Sequence, residues 1–155
     1  MYDFIITRAL LVDGRQVNIV INDGKIVAVD AAIATDDNNQ AEPSVYSAKQ
    51  VLDLAGKYYI SAGWIDSHVH CYPASPIYHD EADLVGVASG VTTVVDAGST
   101  GANDVDDFYR LTRAAKTHVY AFLNIAKTGI VTQNELADMA QIDKQSVSQA
   151  IALNP

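Results

Sequence analysis

Two histidines separated by one residue stand at the end of a segment that reads as a β-strand. His68 and His70 follow Asp66 at intervals of two. Since alternate side chains of a strand point to the same face, Asp66, His68 and His70 share one face. Neutral imidazole nitrogens bind zinc and similar divalent ions, so the two histidines could hold one metal ion together. Two surface histidines on an edge strand are the alternative that this spacing allows.

Three motifs around the histidines occur in a fixed order along the chain. A strand and turn at 52–60 lead in, and a β-branched strand runs from 90 to 96. Between them stands the motif Gly63-Trp64-Ile65-Asp66-Ser67-His68-Val69-His70. Together they resemble the amidohydrolase superfamily, the metal-dependent hydrolases that include dihydroorotases, hydantoinases, adenine deaminases and deacetylases. The dihydroorotase-like or deacetylase subgroup is the most similar, because it also carries a motif that matches residues 96–102, which begin at Asp96.

The resemblance implies one or two zinc-like ions with His68 and His70 as metal ligands. The family's other ligands come from later strands: a carboxylated lysine or a glutamate, two more histidines, and an aspartate that serves as general base. None has a counterpart in this chain, since Lys127 comes one strand too early for the bridging lysine. We therefore expect no catalytic residue within these 155 residues, and weak metal binding without hydrolysis by the chain alone.

Several polar residues near the histidines are candidates for supporting roles. Asp66 could orient His68 by accepting its second ring proton. Alternatively, Asp66 could form an ion pair at the base of the barrel that the resembled family has. Ser99 and Thr100 could contact substrate, although ordinary turn chemistry accounts for them equally well. Asn124 could contact substrate or satisfy backbone groups. Cys71 is predicted to be a buried, unreactive thiol.

Tyr72 marks a departure from part of the resembled family. Dihydroorotases usually carry an arginine two residues after the second histidine, where it holds the substrate carboxylate, and this chain has Tyr72 there. Tyr72 is a weaker candidate for substrate contact. The resemblance therefore implies deacetylation ahead of ring-opening of dihydroorotate, with adenine-type deamination as a third chemistry.

The elements that position these residues fall into two parts of an α/β protein. Residues 1–57 predict a small β unit of short strands, with a hairpin turn at Asp23-Gly24 and a solvated loop at 36–40. The resemblance implies that this unit is the N-terminal part of a β-sandwich. Residues 58–155 alternate strand and helix, which is typical of βαβ units. They predict a strand ending at the histidines, a helix from 80 to 89, and a third strand from 118 to 125. A capping box at 132–135 and a cap at Asp143 predict further helices.

Only three βα units are counted, whereas the resembled family has a (β/α)₈ TIM-type barrel. Such a barrel needs eight units and about 250 residues. We therefore expect the chain to be the truncated N-terminal part of a longer protein.

Composition limits the partners of the protein. A net charge of −9 and a pI near 4.6 argue against nucleic acid or an anionic membrane as partner. No apolar run approaches the ~20 residues of a membrane span, and no signal peptide is recognised. With one cysteine, Cys71, these features favour the cytoplasm.

Two functional hypotheses follow. The first is a metal-dependent amidohydrolase that cleaves an amide or ester bond of a small molecule with a metal-activated water. The second is a non-catalytic, truncated piece or pseudoenzyme that only self-associates, since an incomplete barrel exposes strand edges and apolar faces. A homo-oligomer is compatible with both hypotheses.

Overall fold

The computed structural model describes residues 1–31, 46–134 and 137–154, which form parts of two compact units. One unit spans Met1–Ala62 and the other Gly63–Pro155. The predicted loop at 36–40 and Glu135 of the predicted capping box lie outside the described residues. Within the described residues, no helix combines the length and the apolar character that crossing a membrane requires.

Within its described residues, the first unit forms one sheet built around a long central strand. Strands β1 (Tyr2–Leu11), β2 (Gln16–Asn22), β3 (Lys25–Ala31) and β4 (Ala48–Asp53) pair in the order β3-β2-β1-β4. The short β5 (Tyr59–Ile60) also pairs with β1. The first three strands are antiparallel neighbours, whereas β4 and β5 run parallel to β1. Apolar side chains of β1 and β2 form its buried core.

The predicted hairpin between β2 and β3 is confirmed. Asp23 and Gly24 both have positive φ angles, +50° and +70°. A two-residue type I′ turn requires positive φ at both central residues, and an Asp-Gly pair tolerates this conformation.

The second unit is a parallel three-stranded sheet whose strands follow each other in sequence. Strands β6 (Trp64–Val69), β7 (Val91–Asp96) and β8 (His118–Ala121) pair in the order β6-β7-β8. Three α-helices accompany them among the described residues: α1 (Ala82–Val85), α2 (Val105–Thr112) and α3 (Lys144–Leu153). The predicted alternation of strand and helix is thus confirmed. The carboxyl ends of all three strands meet at one edge of the sheet, which we call the carboxyl edge.

Two predicted elements of the second unit are shorter than the sequence suggests. The helix expected from 80 to 89 breaks at Gly86, after which Val87–Ser89 form a 3₁₀ turn. A Cβ atom at Gly86 would overlap Thr117, whose Oγ1 accepts the N–H of Val87 at 3.1 Å. This tertiary contact overrides the helical pattern. The third strand ends at Ala121 rather than at 125, whereas α3 begins after Asp143 as predicted, with the Asp143 carboxylate capping two N–H groups.

Candidate functional site

The two histidines come together at the carboxyl edge. His68 lies within β6, and His70 follows directly after the strand ends at Val69. Their ring centroids are 5.6 Å apart and the ring planes stand at 87° to each other. The sequence prediction that both imidazoles lie side by side is consistent with this arrangement. His68 is exposed, whereas His70 is half-buried.

The ring of His70 is held by two further side chains. Its Nδ1 is hydrogen-bonded to Ser99 Oγ at 3.0 Å, and Tyr78 stacks on its face with ring centroids 5.4 Å apart. The sequence suggests Ser99 as a substrate contact or a turn residue. The structure places its hydroxyl against a candidate metal ligand, and substrate contact by Ser99 stays a prediction. Sequence reasoning missed Tyr78, because a tyrosine in an irregular loop gives no signal of what it contacts.

The side chain of Asp66 accepts a hydrogen bond from the backbone of His68. Its Oδ1 accepts the N–H of His68 at 3.0 Å. The pairing of β6 with β7 shifts register between Asp66 and Val69, and the carboxylate provides a hydrogen-bond acceptor within that irregular stretch. The predicted role of Asp66 in orienting the His68 ring stays a prediction.

Asp96 connects the two loops that follow β6 and β7. It is fully buried, and its carboxylate accepts the N–H of Cys71 at 2.8 Å and the N–H of Ser99 at 2.7 Å. A buried carboxylate needs such donors because an unpaired charge away from water is costly. The sequence indicated that Asp96 ends the second strand but missed this role. The signal was a lone acidic residue directly after a buried β-branched run.

The predicted burial of Cys71 is confirmed. Its side chain is inaccessible to solvent, and burial raises the pKa of the thiol to about 12, with the neighbouring Asp96 charge adding to the effect. A thiol with this pKa stays protonated at neutral pH, and only the thiolate is a strong nucleophile or metal ligand.

A hydrogen bond of Asn124 connects the loops after β7 and β8. Asn124 Nδ2 donates to the carbonyl of Gly98 at 3.1 Å, and its Oδ1 accepts the N–H of Ala126 at 2.9 Å. These bonds favour the backbone-satisfying interpretation of Asn124. Thr100 is buried, and its Oγ1 has no hydrogen-bond partner within the described part of the chain. Substrate contact by Asn124 or Thr100 stays a prediction.

Tyr72 points into the core of the second unit. It is 8% exposed and packs against Phe108 of α2. Its hydroxyl donates to Asp107 Oδ2 at 3.0 Å, and burial together with that carboxylate raises the pKa of Tyr72 to about 12. The structure therefore ties Tyr72 to α2, and its role as a substrate contact stays a prediction.

His68 and His70 would supply two of the ligands that a catalytic metal site needs. Among the described residues, no group of three or more His, Cys, Asp or Glu side chains could hold a metal ion. Catalytic zinc sites use three protein ligands. His68 and His70 therefore fit part of a ligand set. Lys127, which comes one strand too early for the bridging lysine, lies in the loop after β8 with its backbone bonded to Asn103 and Gln141.

Curated relatives match nearly the whole chain but only part of their own length. A deacetylase of Enterococcus faecalis is 44% identical over 150 residues, which are 97% of this chain and 38% of the relative. A deacetylase of Agrobacterium fabrum is 32% identical over 85% of this chain and 31% of its own length. The chain thus spans less than two fifths of these relatives. No protein-family model matches it.

Solved structures give the same relationship. An adenine deaminase is 43% identical with a TM-score of 0.79, over 99% of this chain and 39% of that protein. A dihydroorotase is 28% identical with a TM-score of 0.78, over 97% of this chain and 39% of that protein.

Proposed function

Since the chain belongs to the amidohydrolase superfamily, a group of α/β TIM-barrel proteins, we propose that the whole protein is a metal-dependent hydrolase of a small molecule. The bond that it cleaves is an amide or ester. His68 and His70 would hold a divalent, zinc-like ion. When bound, such an ion supplies a Lewis acid that polarises a carbonyl and activates water.

The observation that carries this proposal is the pair of imidazoles at the carboxyl edge. Barrel enzymes of this architecture place their chemistry at the carboxyl ends of the strands. His68 and His70 lie there with ring centroids 5.6 Å apart, and Ser99 and Tyr78 restrain the second ring.

Deacetylation is the reaction that we favour. Two relatives at 44% and 32% identity are named deacetylases. The position of Tyr72 supports the same choice, because its hydroxyl is engaged by Asp107 and the residue presents no cation to a substrate carboxylate. Ring-opening of dihydroorotate therefore ranks lower, although a dihydroorotase has the same fold over this region.

Adenine-type deamination is the second candidate. A structure named as an adenine deaminase matches 99% of the chain at 43% identity, close to the identity of the first deacetylase. Hydrolytic deamination and deacetylation use the same activated water, so the pair of histidines does not separate the two reactions.

A non-catalytic role for the 155-residue chain alone is the alternative of a different class. Trp64 and Ile65 of β6 and Tyr120 of β8 are exposed, and such apolar surface favours self-association. We propose that the chain alone binds zinc weakly and hydrolyses nothing measurable, because no group of three or more possible ligands comes together among the described residues. A cytoplasmic location and a small-molecule substrate remain part of the proposal, as does the exclusion of nucleic acid and membrane partners.

The test measures zinc content and hydrolysis in the whole protein that carries this chain. The substrate panel holds N-acetyl and O-acetyl acids, adenine and dihydroorotate. The variants are His68→Ala and His70→Ala, with His118→Ala as the matched control because His118 is an exposed histidine at the amino end of β8. We expect both site variants to lose zinc and activity, and His118→Ala to keep both.

The substrate panel identifies the reaction, and the variants test whether His68 and His70 form the metal site. Release of acetate from an acetylated acid supports deacetylation, whereas release of ammonia from adenine supports the second candidate. Full zinc content and activity in both site variants would show that these histidines are not the metal ligands.

A further inference from the structure

The hydrogen bond between His70 and Ser99 has a consequence for how His70 can bind a metal. An imidazole ligates through the nitrogen that carries no proton, and the partner of the other nitrogen decides which one that is. Ser99 Oγ lies 3.0 Å from His70 Nδ1. We propose that Ser99 is a positioning residue that accepts the Nδ1–H of His70 and so reserves Nε2 for the metal ion. This inference rests on the proposed function and deepens it.

Ser99 is held firmly enough to act in this way. Its N–H donates to Asp96 Oδ1 at 2.7 Å, and its carbonyl accepts the N–H of Ile130 at 3.1 Å. The residue is 3% exposed. A Cβ atom at Gly129 would overlap the Ser99 carbonyl, so the loop after β8 lies directly against it. The Ser99 hydroxyl is therefore presented from a backbone that is bonded on both sides.

The ring of His70 has little freedom around that bond. Tyr78 stacks on its face with ring planes at 27°, and His68 meets its edge. Stacking restrains the ring plane, but it leaves a 180° flip of the ring open. The hydrogen bond from Nδ1 distinguishes the two flipped orientations, since only one of them places a protonated nitrogen against Ser99.

His68 shows a different arrangement. It is exposed, and the neighbouring carboxylate of Asp66 bonds its backbone N–H. The side-chain restraint described above therefore applies to His70.

The test compares Ser99→Ala with Ser75→Ala in the whole protein. Ser75 is the matched control because it is also a buried serine, and its Oγ has no hydrogen-bond partner in the described part of the chain. Zinc affinity is measured by competition with a chromophoric chelator. Loss of a residue that orients a metal-bound histidine typically costs about 10- to 100-fold in metal affinity. We expect that loss for Ser99→Ala and wild-type affinity for Ser75→Ala.

A spectroscopic signature separates positioning from a general loss of structure. The protein is labelled with ¹⁵N-histidine, and His70 is assigned from its missing signals in His70→Gln. When the imidazole of His70 is uncharged and no metal is bound, its proton should lie on Nδ1. In the zinc-loaded protein, the ion should bind Nε2. Zinc on Nδ1 in the unmodified protein overturns the inference, whether or not Ser99→Ala folds.

The outcomes distinguish this inference from the proposed function. Wild-type zinc affinity in Ser99→Ala, together with lost zinc in His70→Ala, overturns the role of Ser99 and leaves the function standing. Retained zinc in both His68→Ala and His70→Ala removes the proposed site, and the inference falls with it.

Discussion

The two ends of the parallel sheet differ sharply in what they bury. At the amino end of β6, the side chains of Trp64 and Ile65 are 68% and 69% exposed. Just beyond the end of β6 and at the last residue of β7, Cys71 and Asp96 are fully buried. The amino end of β6 thus leaves apolar side chains exposed to solvent, whereas the carboxyl edge buries a thiol and a carboxylate.

This difference shows which interactions order the candidate site. Burial of apolar surface is the usual driving force of folding, yet the amino end of β6 contributes little of it in this chain. At the carboxyl edge, the buried carboxylate of Asp96 is matched by the N–H groups of Cys71 and Ser99, which both donate to it. A matched polar group in low dielectric is costly to disturb. The histidines are therefore positioned by a polar network together with the apolar core of the second unit, which includes Cys71 and Tyr72 directly after His70.

Thiol labelling should give the largest contrast between the two ends. Raising the thiol pKa of Cys71 from 9.0 to about 12 lowers its thiolate fraction at mildly alkaline pH about 1000-fold. We compare Cys71 with a cysteine introduced by Ile65→Cys in a Cys71→Ala background. Cys71 should react with a disulfide reagent at least about 30-fold more slowly, because its more basic thiolate recovers only part of the lost rate and burial slows the reaction further.

The denatured proteins provide the control for this measurement. Both thiols should react at similar rates in strong denaturant, where the environment that separates them is gone. Native rates within about tenfold of each other would contradict the contrast between the ends.

Removing the Asp96 carboxylate should strongly destabilise the carboxyl edge. Asp96→Ala leaves the N–H groups of Cys71 and Ser99 buried without their acceptor. Loss of two charge-assisted bonds of this kind predicts a decrease of about 3 kcal/mol in the free energy of unfolding. Urea denaturation measures it, with Asp106→Ala as the control, since Asp106 is an exposed aspartate on α2. A loss below about 1 kcal/mol would show that the network matters little.

Glycine substitutions test how tightly the loops after β7 and β8 are packed. Gly129 and Gly90 both have positive φ, +64° and +81°, but of the two Gly129 alone lies against another described segment. Gly90→Ala should cost about 1 kcal/mol from backbone strain alone. Gly129→Ala should cost about 2 to 3 kcal/mol, because the new methyl group also overlaps the Ser99 carbonyl. Equal losses in thermal or urea denaturation would mean that the loops can move apart freely.

Much of the fold could be predicted from the sequence because local signals agreed with the tertiary structure. The Asp23-Gly24 turn, the cap at Asp143 and the parallel order of β6, β7 and β8 are examples. The resemblance to the amidohydrolase superfamily, read from the motif that contains His68 and His70, is also confirmed. The prediction of an unbroken helix through Gly86 was wrong, because the N–H of Val87 donates to Thr117, which lies far along the chain, and not to a carbonyl of the helix.

The candidate site was predictable in its residue types but not in its bonds. A period of two in a strand places His68 and His70 on one face, and no tertiary information is needed for that. Ser99 and Asp96 depend on which loop lies beside which, and sequence periodicity carries no such information. Ser99 was therefore assigned to substrate or turn chemistry, and the Asp96 bonds to Cys71 and Ser99 were missed.

The smallest expected change in the free energy of unfolding comes from a substitution at the amino end of the sheet. It tests the difference between the two ends of the sheet from that side. Trp64 is largely exposed, and the bond that its carbonyl accepts from Thr92 does not need its side chain. Trp64→Ser should change the free energy of unfolding of the chain by no more than about 0.5 kcal/mol. Val94→Ala, at a buried position of β7, should cost about 2 kcal/mol in the same urea titration. A loss above about 1.5 kcal/mol for Trp64→Ser that grows with protein concentration would mean that a second copy covers this face, because burying an aromatic side chain contributes about that much.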